Sequence, residues 1–493
     1  QVDVARRLLA VYMASPYEFH LGTNSAQLLR NVTDEVRHVF ANVAAAMANA
    51  TSEILVILVI AALLIWAEPM AALFSIGVLA GVSGLFYASV RRTTARLGRE
   101  KQEATEEHIR SVNEGLGSIK ELKVLGREAA FLHRFDRAGR TYARAQRFHR
   151  TVRELPRLFI ETIGIGAILL VVLAALLQGD RRGLDGILPV LGLFALAAVR
   201  LMPSLNRLIG AGTTIRLFRP AVRVVARDLE RYERARSRRP QARTELELRE
   251  ALRLDGVRYR YPGAEVEALR GLDLTIRQGE SVAFVGSSGA GKTTVVDLLL
   301  GLLEPTAGAV LVDGRDIQSD LAGWQSQIGY VPQPVYLLDG TVRENVAFGV
   351  AGEDIDEAAV WRALERAALR AFVESLPDGL DTRIGELGAR FSGGQRQRLG
   401  IARALYRDPP VLVLDAATSA LDNETARELT AALARLSGDK AVLSIAHRLS
   451  TIEACDLLFL LSQGELVASA TYDELMSTNE DFRRLAAAER TSP

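Results

Sequence analysis

The sequence predicts a multi-domain molecule, in which an all-α transmembrane bundle of about four helical spans is fused to an α/β domain built around a phosphate-binding loop. Three observations predict it. Up to about Ile209 long apolar runs alternate with Arg-rich stretches, whereas from about Glu245 the chain reads as strands, Gly turns and helices. A Gly-rich loop ending in Lys292 and Thr293 sits between a strand-like run and a helical one. And 493 residues exceed what one hydrophobic core organises.

The membrane half is expected over residues 1–235, followed by a linker at 236–244 and the α/β domain at 245–493. A bilayer needs about 20 mainly apolar residues per helix. Residues 45–66, 70–90, 158–177 and 187–209 meet that need. Only Glu68 and Pro69 separate the first two, so they form an antiparallel hairpin. Between the second and third, residues 91–157 carry many Arg and Lys on a helical pattern, which places them in the cytoplasm. Two antiparallel helices of about 30 residues reach roughly 45 Å beyond the bilayer; taken alone, the same segment also reads as a solvated anchor. Residues 1–42 are amphipathic, no signal peptide is visible, and the chain opens on Gln1, which reads as a start partway through a longer membrane domain. The formal net charge of +1 gives no argument for nucleic acid, because the basic residues flank apolar runs. Cys455 is the single cysteine, which excludes a disulfide framework or a cysteine metal site within one chain.

In the α/β half, residues 281–285 form a strand-like run, and residues 295–303 a helical one. Between them Gly286, Ser287, Ser288, Gly289, Ala290, Gly291, Lys292 and Thr293 make a complete phosphate loop, with Thr294 next in line. Glycines let backbone N–H groups close around phosphates, and the following helix N-terminus favours an anion. Lys292 is placed to meet β- and γ-phosphates, and the Thr293 hydroxyl to ligate Mg²⁺. Residues 411–415 read as a buried strand ending in the carboxylate of Asp415, the place where a phosphate-loop domain holds its magnesium.

Between and after these motifs stand Phe391, Ser392, Gly393, Gly394 and Gln395, then His447 in Ser-Ile-Ala-His-Arg. With Tyr261, Gln333 and Asp422 they occur in an order and spacing that resemble the nucleotide-binding domain of ABC transporters over about 245–493. The resemblance implies that ATP is bound with Mg²⁺ and that Tyr261 stacks on adenine. It implies that Gln333 of the Q-loop joins Thr293 and Asp415 at the metal, that Ser392 to Gln395 form the signature, that Asp422 is the D-loop and that His447 is the switch histidine. In that family the signature faces the γ-phosphate held by another subunit, so one chain carries two half-sites and a two-fold homodimer is implied. Gly385, Glu386 and Gly388 resemble the X-loop of exporters, and residues 16–21 and 126–135 resemble their coupling segments. A multi-pass protein of the bacterial inner membrane with its nucleotide domain in the cytoplasm follows from the resemblance. A soluble DNA-associated ATPase is excluded, because four spans have no place in it.

One residue departs from the family pattern. The Walker B aspartate is ordinarily followed by a glutamate that positions the attacking water, and here Ala416 follows Asp415. Alanine accepts no proton, so slow turnover is expected from a chain that still binds ATP. Two origins stay open: a substitution introduced to trap the ATP-bound state, and a naturally degenerate site.

For the cargo, Arg200 and Arg207 lie seven apart and share one helix face, while Arg153 and Arg157 stand at the start of the third span. Charge in a span usually faces a cavity, and paired guanidinium groups suit phosphate; snorkelling to the interface is the other reading. The segments 15–21, 24–31, 119–128 and 200–207 resemble bacterial lipid-linked oligosaccharide flippases. That implies ATP-driven movement of a polyprenyl-pyrophosphate oligosaccharide. A general lipid, peptide or drug exporter and a nucleotide-gated membrane regulator are the alternatives.

Overall fold

The computed structural model describes residues 1–67, 69–144, 147, 162, 166, 183–236, 246–415, 439–445 and 452–491. They divide into one unit of Gln1–Ser15 with Phe19–Arg239 and another of Pro16–Glu18 with Pro240–Pro493. Arg153, Arg157, Ala416, Asp422 and His447 lie outside the described residues, as does the expected span 158–177 apart from residues 162 and 166.

Helices dominate the first unit. They are α1 (Val2–Ala14), α2 (Tyr17–Leu21, whose first two residues group with the other unit), α3 (Ser25–Arg30), α4 (Ala45–Ala67), α5 (Pro69–Gly117), α6 (Ile119–Leu125), α7 (Gly183–Leu217) and α8 (Arg219–Arg236). Between α3 and α4 the backbone widens into π-helical turns at Asn31–Glu35 and His38–Ala44, so Ser25–Ala67 runs as one helical stretch. This stretch is long and apolar enough to cross a membrane. Along α4 the side chains of Leu55, Leu58, Val59 and Trp66 are exposed, an outward apolar face that water would penalise and lipid would not.

The inward face of α4 meets α7, where Leu64, Ala197 and Leu201 are buried with Ala72 of α5. Two alanines in that contact let the backbones approach closely, the packing that apolar surroundings favour. Residues 70–90 lie in α5, which starts on Pro69, a residue tolerated in a first helical turn. At 49 residues α5 is ~73 Å long, more than twice the hydrocarbon thickness of a bilayer. Its charged end is held to the helical residues 128–144 by Arg134, whose Nε donates to Glu107 and Nη1 to Glu114, both at 2.7 Å. Gly126, in the left-handed region at φ 62°, ends α6 before that return. At the other side Tyr12 of α1 donates to Asp228 of α8 at 2.8 Å and accepts from Asn31 at 3.1 Å, a polar contact buried beside Leu8, Val36 and Val225.

The second unit carries two sheets. Alternating apolar residues build a four-stranded antiparallel sheet in the order β2 (Leu269–Arg277), β1 (Ala251–Tyr259), β4 (Ala307–Val312), β5 (Arg315–Asp316). Continuous apolar runs build the other, in the order β10 (Glu465–Ala470), β9 (Leu457–Ser462), β3 (Ser281–Val285), β8 (Ala441–Ile445), β7 (Val411–Asp415), β6 (Ile328–Val331). Its strands are parallel except for the β9–β10 hairpin, so β3 and β7 end on the same edge. In open parallel sheets that carboxyl edge is where ligands bind.

Candidate functional site: a phosphate cradle at the carboxyl edge

Strand β3 is buried along Val282 to Val285, and the chain then turns through residues 286–291 into α9 (Lys292–Leu299). The turn needs glycine at Gly286 and Gly289, which stand at φ 148° and 80°. At Gly286 an added Cβ would meet the Leu461 carbonyl oxygen at 2.2 Å, so β9 fits directly against the loop. Ala290 closes the loop from inside: its carbonyl accepts from the Gly464 amide at 3.1 Å. Ser287, Ser288 and Gly289 are exposed at the tip, whereas Ala290 is buried.

Lys292 folds back over this turn. Its Nζ donates to the carbonyls of Gly286 at 2.7 Å and Ser287 at 2.9 Å, and the residue is only 7% exposed. An ammonium that deep demands oxygen partners, and an entering phosphate would add anionic ones. Thr293 beside it is exposed. Thr294 is buried and its Oγ1 lies 3.1 Å from the Tyr261 hydroxyl; Tyr261 stands edge-on to Tyr259 at 4.9 Å between ring centres. Tyr259 in turn donates to Glu18 at 2.7 Å, a residue grouped with this unit, and burial together with that carboxylate pushes the Tyr259 hydroxyl up.

Asp415 closes β7 on the same edge as the loop. Tyr330 of β6 lies on the strand paired with β7, and burial foremost, with the Asp415 charge next, pushes the Tyr330 hydroxyl up. Asp297, in the second turn of α9, is pushed up to about 6 by burial and by the Asp415 charge. Neither Tyr330 nor Asp297 is conspicuous in sequence. Asp297 lies one helical turn beyond Thr293, a signal that could have placed it near the loop. Gln333 follows β6 and is exposed.

The signature residues sit on a different part of the unit. Here α10 (Glu357–Arg366) packs against α11 (Gly393–Leu405), and Ser392 caps α11. Ser392 Oγ accepts from the Gln395 amide at 3.2 Å while the Gln395 side chain accepts from the Ser392 amide at 2.9 Å. This capping box fixes the exposed helix start, whose first-turn amides at Gly393 and Gly394 have no acceptor within the helix. Phe391 is buried edge-on to Phe372 at 5.4 Å and anchors the turn. The phosphate loop belongs to the hydrophobic cluster of Val295 and Leu298, the signature to that of Leu399 and Ile401. The structure therefore brings residues 286–294, Tyr261 and Asp415 to one edge and sets Ser392 to Gln395 at a second helix start.

In the first unit Arg200 and Arg207 both lie on α7. Arg200 is exposed, and Arg207 is engaged by Glu53 of α4, with Nε donating at 2.5 Å and Nη2 at 3.1 Å. Sequence reasoning missed Glu53, because the partner stands 154 positions away.

Comparison with known proteins places this geometry. A profile of ABC transporters matches residues 269–419, and one of the ABC transporter transmembrane region matches residues 1–195. An ATP-dependent lipid A-core flippase of Ralstonia nicotianae is 34% identical over 489 residues, 96% of this chain and 80% of that protein. Another protein of that name, from Alkalilimnicola ehrlichii, is 31% identical over all of this chain and 82% of its own length. An ABC multidrug transporter of Emericella nidulans is 42% identical over 46% of this chain and 17% of its own. Among solved structures, a bacterial Atm1-family ABC exporter with ATP bound superposes with a TM-score of 0.75 at 25% identity, covering all of this chain and 85% of that one.

Proposed function

The chain belongs to the ABC transporter family, and on that premise we propose that it is one half of a homodimeric exporter of the bacterial inner membrane that flips an amphipathic lipid with an anionic head, of the lipid-linked oligosaccharide class. The family assignment makes it an ATP-binding membrane protein with its nucleotide domain in the cytoplasm. The observation that carries the proposal is the cradle at the end of β3, where a buried ammonium and a glycine turn face the carboxyl edge of a parallel sheet.

In this reading residues 286–294 wrap the phosphates, Lys292 neutralises them and Tyr261 lies under the base. Thr293, Gln333 and Asp415 would hold Mg²⁺: the three donors are oxygens, as a hard cation requires. The ion would shield phosphate charge. The capped start of α11 offers its Ser392 hydroxyl and first-turn amides to nucleotide held by the second copy, and His447 and Asp422 complete that interface. Residues 16–21 and 126–135 relay closure to the bundle, the role that their resemblance to coupling segments implies.

A lipid cargo is supported by relatives named as lipid A-core flippases and by cationic Arg200 and Arg207 within the span 187–209. Arg153 and Arg157 belong to the same proposed headgroup contact. Turnover is proposed to be slow because Ala416 stands where a water-positioning glutamate is expected. Phosphate release from the full chain in lipid nanodiscs is expected to rise by about 10² to 10⁴ on Ala416→Glu. The Ala416→Glu form is then expected to move a labelled prenyl-pyrophosphate glycolipid across proteoliposomes. Equal rates for the two forms would reject the catalytic reading, and ATP turnover without lipid movement would favour a nucleotide-gated regulator, the second reading that Ala416 supports.

A further inference from the structure

We propose that Glu53 is a displaceable counter-ion, occupying the face of Arg207 where an oxyanion of the cargo will bind. The inference rests on the reading of Arg200 and Arg207 as headgroup contacts and adds to it the acid that competes for them. Glu53 lies on α4, within the helical stretch long and apolar enough to cross a membrane, and Arg207 lies on α7. Their contact uses both carboxylate oxygens, with the Nε and Nη2 bonds side by side. That edge of a guanidinium is the one that grips phosphate as a fork, so a phosphate can take it only when the carboxylate leaves.

The surroundings are built to hold the pair on one side and open it on the other. Arg207 Nη2 also reaches Ser204 Oγ at 3.4 Å, and Ser204, fully buried, donates to the Arg200 carbonyl at 3.1 Å. The Glu53 side chain is 15% exposed, whereas that of Arg207 is 49% exposed. A pair serving only to glue helices would be enclosed on both sides; here the cation is half open to whatever enters beside α7. A lone arginine on a membrane helix would be costly and would hold any stray anion. With Glu53 in place, an oxyanion must outbid a carboxylate, which favours a phosphate or pyrophosphate ester carrying more than one charge. Its arrival also removes an ionic tie between α4 and α7, so headgroup binding is coupled to loosening of the helix pair that Leu64, Ala197 and Leu201 otherwise hold.

The test measures binding to the full chain in nanodiscs of neutral lipid, using farnesyl pyrophosphate, inorganic pyrophosphate and farnesol as probes. Glu53→Gln is expected to tighten farnesyl pyrophosphate about three- to tenfold and leave farnesol unchanged. Arg207→Ala is expected to abolish the pyrophosphate-dependent part. Tightening confined to farnesyl pyrophosphate identifies a lipid headgroup as the ligand, and equal tightening of inorganic pyrophosphate identifies the free anion; both support displacement. Glu53→Asp keeps the charge and shortens the reach, so it preserves the fold and is expected to tighten binding by a smaller factor. No tightening in either variant, with Arg207→Ala still abolishing binding, would overturn the counter-ion and leave the arginine reading standing. Unchanged binding in Arg207→Ala would remove the arginine reading, and this inference with it.

Discussion

At Asp297 burial and the neighbouring Asp415 charge together hold the acid up at about 6, against an ordinary value of 3.8. A carboxyl whose folded value is raised keeps its proton longer in the folded state than in the unfolded chain. Folded stability is therefore lost as pH rises from about 4 to 6, and the full cost persists above that window. Asp297→Asn removes it. The variant is expected to melt higher than the parent at pH 8, by an amount worth about 1–3 kcal/mol, with the difference vanishing below pH 4. Thermal denaturation of the nucleotide-free chain across pH checks this; a constant difference at all pH values would mean the gain is packing, not charge. Neither Asp297 nor Tyr330 belongs to a contiguous motif. The phosphate loop was legible because eight adjacent residues carry its chemistry, whereas Asp297 and Tyr330 acquire theirs only when β6 and β7 pair in register and α9 lies beside them.

The turn between β3 and α9 separates two kinds of glycine requirement. At Gly286 a Cβ collides with the Leu461 carbonyl, a backbone atom of a paired strand that cannot retreat cheaply; at Gly289 nothing lies within 4 Å and only the positive φ resists a side chain. Gly286→Ala is expected to cost more than Gly289→Ala, with about 1–3 kcal/mol from overpacking added to strain of about 1 kcal/mol that both share. Chemical denaturation of the two variants checks the order, and equal losses would show that β9 yields. The apolar run of β9 announces a strand; its place beside β3 does not follow from local sequence, because residues 286 to 456 intervene. The start of α11 has a local cause instead: Ser392 with Gln395 three residues on forms a capping box.

At the scale of assembly, residues 286–294 and Ser392 rest on separate hydrophobic clusters of one chain, and the proposed shared nucleotide would join them across two copies. If two copies share nucleotide, Ser288→Cys of one and Ser392→Cys of the other come within cross-linking reach when ATP and Mg²⁺ are added. A disulfide-linked dimer is expected on non-reducing gels with nucleotide and not without it, from the double variant and from mixed single variants. Cys455 does not confuse the result: burial pushes its thiol up to about 11, so it stays protonated and unreactive at neutral pH. Cross-linking that ignores nucleotide would argue against a shared site. The division into a helical unit and an α/β unit was open to reading from composition, whereas the Glu53–Arg207 pair was not, because it forms only after two spans pack. One mechanical corollary attaches to α5. A single rod of 49 residues cannot bend sharply at the membrane surface without breaking its hydrogen-bond ladder, so a tilt of ten degrees about one end sweeps the other through ~13 Å. Small rotations at its charged tip thus become large excursions among lipid tails, with the helix itself as the gear.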